Sequence, residues 1–113
     1  MYQVRFSAAA HADIKALPKN ARNSLKKEIL KLAADPVGLS LELREPLRGF
    51  RSYHWRDCRV IFIVSVQLEA IAIAAVGKRV PGTQDDVYRK LERLASEGKL
   101  AERILAALRG AGE

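Results

Sequence analysis

Tyr2, Val4 and Phe6 alternate with Gln3 and Arg5. Alternation with period two predicts a strand with one buried face. Ser7 follows where a hydroxyl can cap a helix. Ala10, Ile14 and Leu17 then recur at helical spacing until Pro18 ends or bends the helix. A second helix is predicted over about 20–34, with Ala21, Leu25, Ile29 and Leu32 as its apolar stripe. Arg22, Lys26, Lys27 and Lys31 project elsewhere, as a solvated basic face. Asp35-Pro36 stops this helix, because a residue before proline avoids the helical region.

Residues 37–46 read as an irregular connection. A strand is predicted over 51–55, a turn at Arg56-Asp57, and a nearly continuous apolar strand over 58–66. A turn at Gln67-Leu68-Glu69 leads to a third apolar strand over 70–76, ending at Gly77. Strands apolar at almost every position imply a sheet covered on both faces or strongly curled. The short connections imply antiparallel hairpins. After a loop over 80–83, Thr83 or Asp85 can cap a helix from about 86 to 95, with Val87, Leu91 and Leu94 inward. Ser96-Glu97-Gly98 breaks it, and a last helix is predicted over about 100–109. The expected fold is α+β: a small antiparallel sheet with an N-terminal helical hairpin on one face. The order is β-α-α-β-β-β-α, with an extra C-terminal helix. One domain is expected over 1–95, with 96–113 as a helical extension packed on it.

Within the strand over 51–55, Ser52 and His54 share one face while Arg51, Tyr53 and Trp55 share the other. If Tyr53 and Trp55 pack inward, His54 points outward. A slip of one residue would expose Arg51 and Tyr53 instead.

The chain has 113 residues, 49% of them hydrophobic, enough for one core. Its net charge of +7 favours an acidic partner. Arg44, Arg48, Arg51, Arg56 and Arg59 cluster around the central hairpin, opposed only by Glu45 and Asp57. This is chemistry suited to a polyanion, and RNA is the first candidate. The single Cys58 excludes an intramolecular disulfide and a cysteine-rich zinc site, so no metal or cofactor is expected. At the start of an apolar strand it reads as a small buried residue. The N-terminus lacks a signal-peptide pattern, and the apolar run over 60–66 is too short to span a bilayer. A cytoplasmic protein with no membrane partner is the expectation.

Several segments, in shared order, resemble the RelE/ParE toxin superfamily of bacterial type II toxin–antitoxin systems. They are Tyr2-Gln3-Val4-Arg5-Phe6-Ser7-Ala8, Leu32-Ala33-Ala34-Asp35-Pro36 and Leu47-Arg48-Gly49-Phe50-Arg51-Ser52-Tyr53. Asp57-Cys58-Arg59-Val60-Ile61-Phe62, Val76-Gly77-Lys78-Arg79 and Val87-Tyr88 complete the set. The resemblance runs from Tyr2 to about Leu94. It implies one of two activities. The RelE-like branch cleaves messenger RNA in the ribosomal A site, with the 2′-hydroxyl as nucleophile and no metal. The ParE-like branch inhibits DNA gyrase and generally lacks the catalytic set.

Internal attack on RNA needs a base, cations for the transition-state charge, and an acid for the leaving oxygen. By resemblance, Arg59 and Arg79 match catalytic arginines, which suit a phosphate clamp. Tyr88 resembles a tyrosine that stacks on a base or assists proton transfer. His54 stands where many relatives carry arginine or lysine, and imidazole titrates near neutrality. Arg59 has a structural alternative, as a partner of Asp57 or Glu69. Arg48, Arg51, Arg56 and Lys78 are the expected RNA-binding cations. Two departures stand out: residues 80–84 lengthen the loop before Tyr88, and no lysine lies between Lys31 and Lys78.

The favoured expectation is a metal-independent endonuclease toxin cleaving messenger RNA on the ribosome. The alternatives are a gyrase inhibitor and a non-catalytic antitoxin-binding relative. The implied partners are a cognate antitoxin with an acidic, apolar segment, together with messenger RNA and the ribosome, or DNA gyrase.

Overall fold

The computed structural model describes residues 1–96 and Ile104. The elements are β1 (Gln3–Phe6), α1 (Ala8–Lys15), α2 (Lys19–Ala34), β2 (Leu41–Glu42), β3 (Arg51–Trp55), β4 (Cys58–Ser65), β5 (Ala70–Lys78) and α3 (Val87–Ser96). The α+β class holds. Ser7 caps α1 through a bond from the Ala10 N–H to its hydroxyl. The Asp86 carboxylate, not Thr83 or Asp85, caps α3 by accepting the Arg89 N–H.

The five-stranded sheet runs β1-β5-β4-β3-β2. Strands β3, β4 and β5 form the expected antiparallel meander. The sheet as a whole is mixed, because β1 pairs parallel with β5, Gln3 opposite Ala70. The helical hairpin carries the chain from β1 to β2 at the opposite edge, and the meander then returns β5 beside β1 in the same direction, which permits parallel pairing. The connection after α2 is not wholly irregular either, since β2 pairs with β3 through Leu41 and Ser52.

Both faces of the sheet are covered. Against the hairpin, Leu25, Ile29 and Leu32 pack with Tyr53, Trp55, Val60, Phe62, Ile71 and Ile73. On the opposite face Ile61, Ala74 and Ala75 pack with Leu47, Phe50, Val87 and Leu91. This double burial is why β4 and β5 read as unbroken apolar runs. Ile104 packs against the second cluster. The rest of the expected C-terminal helix, and most of the 96–113 extension, lie outside the described residues.

The register shifts between Ile61 and Phe62: Ile61 pairs with Ala75, but Phe62 pairs with Ile73. Ala74 is the extra residue of a bulge, and its carbonyl accepts the Ser7 hydroxyl at 2.9 Å. The bulge switches the parity of β5. Ile71 and Ile73 face the hairpin before it, as does Val76 after it. Gly77 is thereby turned to the α3 face, where Val87 meets it.

Candidate active site at the open end of the sheet

The α3 face carries the chemistry because of these registers. His54 pairs directly with Arg59 across β3 and β4, and Arg59 pairs with Gly77 across β4 and β5. Directly opposed side chains in such a row are immediate neighbours. Tyr53 and Trp55 are buried against the hairpin, so His54 is exposed on the other face, as one of the two sequence registers requires.

The His54 Nε2 lies 2.7 Å from the Arg56 carbonyl. A carbonyl only accepts, so this nitrogen carries the hydrogen and the neutral ring keeps its free lone pair on Nδ1. Arg59 donates from Nη1 to the Cys58 carbonyl at 3.0 Å. The alternative role as a partner of Asp57 or Glu69 is not what the structure shows. Among the described residues Arg59 makes no ion pair.

Arg79 and Tyr88 come together one strand over. The Arg79 guanidinium lies 4.8 Å from the Tyr88 ring centroid and donates from Nη1 to Asp86 Oδ2 at 2.7 Å. The Tyr88 hydroxyl is 2.7 Å from the Ser52 hydroxyl, two residues from His54 on the same face of β3. The longer loop before Tyr88 therefore still delivers it to the sheet. Asp86, only 3% exposed, also accepts the Val80 N–H at 2.7 Å. Burial alone would raise its carboxyl pKa. The hydrogen bonds from Arg79, Val80 and Arg89 outweigh burial and hold it below the ordinary value. The same hydrogen bond raises the Arg79 pKa, so both partners stay charged. Beside this cluster opens a cleft of about 540 Å³, lined in part by Arg44, Arg79, Asp86, Tyr88 and Arg89.

The remaining expected cations lie elsewhere. Arg51 grips the 37–40 loop: Nε donates to the Ser40 hydroxyl at 2.7 Å and Nη2 to the Ser40 carbonyl at 3.0 Å. Arg56 sits over the Trp55 ring at 5.0 Å and donates to Ser24 of α2, on the hairpin side. Lys78 pairs with Asp57 at 4.0 Å, and Arg48 with Glu45 at 3.8 Å. Both pairs are largely exposed and add little stability. Burial, then Asp57, pushes the Cys58 thiol up, so it is no thiolate nucleophile at neutral pH. Among the described residues no group of three or more His, Cys, Asp or Glu is placed to hold a metal. No described helix is long and apolar enough to cross a membrane.

Sequence reasoning missed Asp86, Ser52 and Arg89 as site residues, and it counted Arg44 in the basic cluster without naming it among the RNA-binding cations. Asp86 had a signal: it is an acid just before an amphipathic helix, the signature of a cap. Ser52 had none, because its partner lies 36 residues away.

The family model describing the ParE toxin of the type II toxin–antitoxin system parDE matches residues 4–80. The chain belongs to that toxin family. The match includes His54, Arg59 and Arg79 but ends before Asp86 and Tyr88. No curated protein matches this ParE-family toxin in sequence. Solved structures share its fold. The toxin–antitoxin complex RelBE2 from Mycobacterium tuberculosis matches with 24% identity and a TM-score of 0.66, covering 69% of this chain and 98% of that one. The archaeal RelE–RelB complex from Pyrococcus horikoshii OT3 matches with 22% identity and a TM-score of 0.58, covering 72% and 98%. The isolated E. coli RelE toxin matches with 18% identity and a TM-score of 0.57, covering 84% and 99%. At these identities the likeness is one of fold. It places the chain among toxins of RelE/ParE architecture.

Proposed function

We propose that this toxin is a metal-independent endoribonuclease that cleaves messenger RNA on the ribosome and is neutralised by an antitoxin protein. The observation that carries the reading is the His54–Arg59 pair on the open end of the sheet. One member has a free imidazole nitrogen, and the other is a guanidinium with no carboxylate partner among the described residues. His54 Nδ1 takes the proton from a 2′-hydroxyl. The freed oxygen attacks the adjacent phosphorus, and the bond to the 5′-oxygen breaks. Arg59 and Arg79 bind non-bridging oxygens as charge builds on them. The leaving 5′-oxygen takes its proton from water in the cleft or from the Tyr88 hydroxyl. The products are a 2′,3′-cyclic phosphate and a 5′-hydroxyl, with atoms and charge in balance.

The antitoxin part of the proposal rests on the family and on charge. A chain of +7 with an arginine-lined cleft suits an acidic, apolar segment that orders on binding.

A second reading has its own support. The matching family is the ParE one. Under this reading the target is DNA gyrase. Inducible expression in bacteria separates the two, with primer extension on abundant messages and the DNA-damage response followed together. Cuts within translated codons, lost in His54→Ala and Arg59→Ala at equal protein level, support the nuclease. DNA damage with intact messages moves the assignment to gyrase, and absence of both signals removes the toxin activity altogether.

A further inference from the structure

Asp86 is the one buried carboxylate among the described residues, and it holds three parts of the molecule at once. Its Oδ1 accepts the Val80 N–H at 2.7 Å, which ties down the loop leaving β5. It accepts the Arg89 N–H in the first turn of α3. Its Oδ2 accepts Arg79 Nη1 at 2.7 Å. The helix it caps begins with Val87 and Tyr88, and the Tyr88 ring lies under the Arg79 guanidinium. The Tyr88 hydroxyl then closes the chain on Ser52.

An arginine side chain has many rotamers, and ordering it for phosphate binding is entropically unfavourable. Here the guanidinium is fixed by two contacts of different kinds. The ring holds the guanidinium carbon 4.8 Å from its centroid, and the carboxylate holds Nη1 at 2.7 Å. Asp86 engages Nη1, which leaves the edge made by Nε and Nη2. That edge can bind two phosphate oxygens side by side. Arg79 is 34% exposed on its side chain and lines the open cleft, so an anion can reach it.

We infer that Asp86 is a positioning residue: it orients Arg79 so that one edge of the guanidinium meets the scissile or adjacent phosphate. The inference rests on the proposed nuclease reading and extends it to a residue that touches no substrate. Preorganisation of this kind raises the rate of the chemical step more than it tightens ground-state binding.

The test is a cycle of full-length wild type, Asp86→Asn, Arg79→Ala and the double variant, with melting temperature recorded for each. Asparagine keeps an acceptor for the backbone N–H groups but removes the charge that orients Arg79. Cleavage of a message on programmed ribosomes is the readout. The expected result is a 10–100-fold fall in kcat for Asp86→Asn, with KM changed by less than about threefold. Arg79→Ala should then add little, so that the double variant matches Arg79→Ala alone. Losses that multiply, or an unchanged kcat in Asp86→Asn, overturn the inference. If Asp86→Asn fails to fold, Asp86→Ser, which retains a helix cap, replaces it in the same cycle under the same criteria. If wild type cleaves no message, the nuclease reading fails by itself. The cycle is then read on growth inhibition: an equal loss in both single variants and the double keeps Asp86 as the residue that positions Arg79 while the phosphate contact falls with the nuclease reading, and additive losses overturn the positioning as well. A wild type with neither activity overturns both.

Discussion

Gly77→Ala tests whether the close approach of β5 and α3 builds the site. A Cβ on Gly77 would lie 3.1 Å from both Cβ and Cγ2 of Val87. Relaxed carbon contacts are about 3.5–4.0 Å, so strand and helix must part by roughly half an ångström. Val87 is 3% exposed and shares its cluster with the fully buried Leu91, so it has little room to yield. Overpacking of this kind costs about 1–3 kcal/mol. Alanine also restricts the unfolded chain, which returns about 0.4–1 kcal/mol. The net expectation is a loss of roughly 0–2.6 kcal/mol, about 1.3 kcal/mol in mid-range. For a domain near this size that is a fall of about 5–10 °C in Tm in mid-range. Urea titrations of wild type, Gly77→Ala, Val87→Ala and the double variant check it. Val87→Ala removes Cγ2, one of the two crowded atoms, so the double variant should be less destabilised than the sum by about 0.5 kcal/mol or more. Additive losses would refute the reasoning.

Two further outcomes follow from the same cluster. The Asp86 pKa is lower in the folded state than its ordinary value of 3.8, so its stabilising contribution is fully present above that value and is lost as pH falls below it. Melting temperatures from pH 7 down to pH 2 should drop more steeply for wild type than for Asp86→Asn, and parallel curves would count against the ion pair. Tyr88→Phe leaves the Ser52 hydroxyl, in a residue only 8% exposed, without its partner. The expected loss is about 1–3 kcal/mol by urea titration, and a neutral result would mean that water replaces the phenol.

What the sequence revealed depended on how local the determinant was. Period-two alternation marked β1 and put Ser52 and His54 together on one face of β3, because side-chain alternation is set within the strand, but which face is exposed was decided only by the packing of Tyr53 and Trp55. The unbroken apolar runs of β4 and β5 announced cover on both faces. The parallel pairing of β1 was hidden, since period two is the same for either strand direction. The bulge at Ala74 was hidden too, because one extra alanine in an apolar run leaves no periodic trace. Arg51 looked like a free cation in the basic cluster. Its partner Ser40 lies in a segment without periodicity, and only the fold brings the two together. Asp86 was overlooked in favour of its neighbour Asp85. The difference is burial, which α3 decides by docking Val87 on Gly77.

The geometry of the exposed face is decided on the hidden one. A slip of β3 by one residue would expose Tyr53 and Trp55 and turn His54 inward. Losing burial of two aromatic side chains costs about 3–6 kcal/mol at roughly 1.5–3 kcal/mol each. The same slip in β4 would pull Phe62, wholly buried now, out of the hairpin core and drive Arg59 into it, where an unpaired cation is far costlier. The His54–Arg59 pairing is therefore fixed by several kcal/mol of packing that involves neither residue. β5 obeys the same logic with one added element. Ile71 and Ile73 anchor its first half to the hairpin, and the bulge then turns Gly77 toward α3. Were the same residues to run through Ala74 as a regular strand with no bulge, plain alternation would turn the end carrying Gly77 and Arg79 toward the hairpin. The Ser7 hydroxyl bonded to the Ala74 carbonyl holds that switch, so a residue at the start of α1 helps to decide which face receives Arg79.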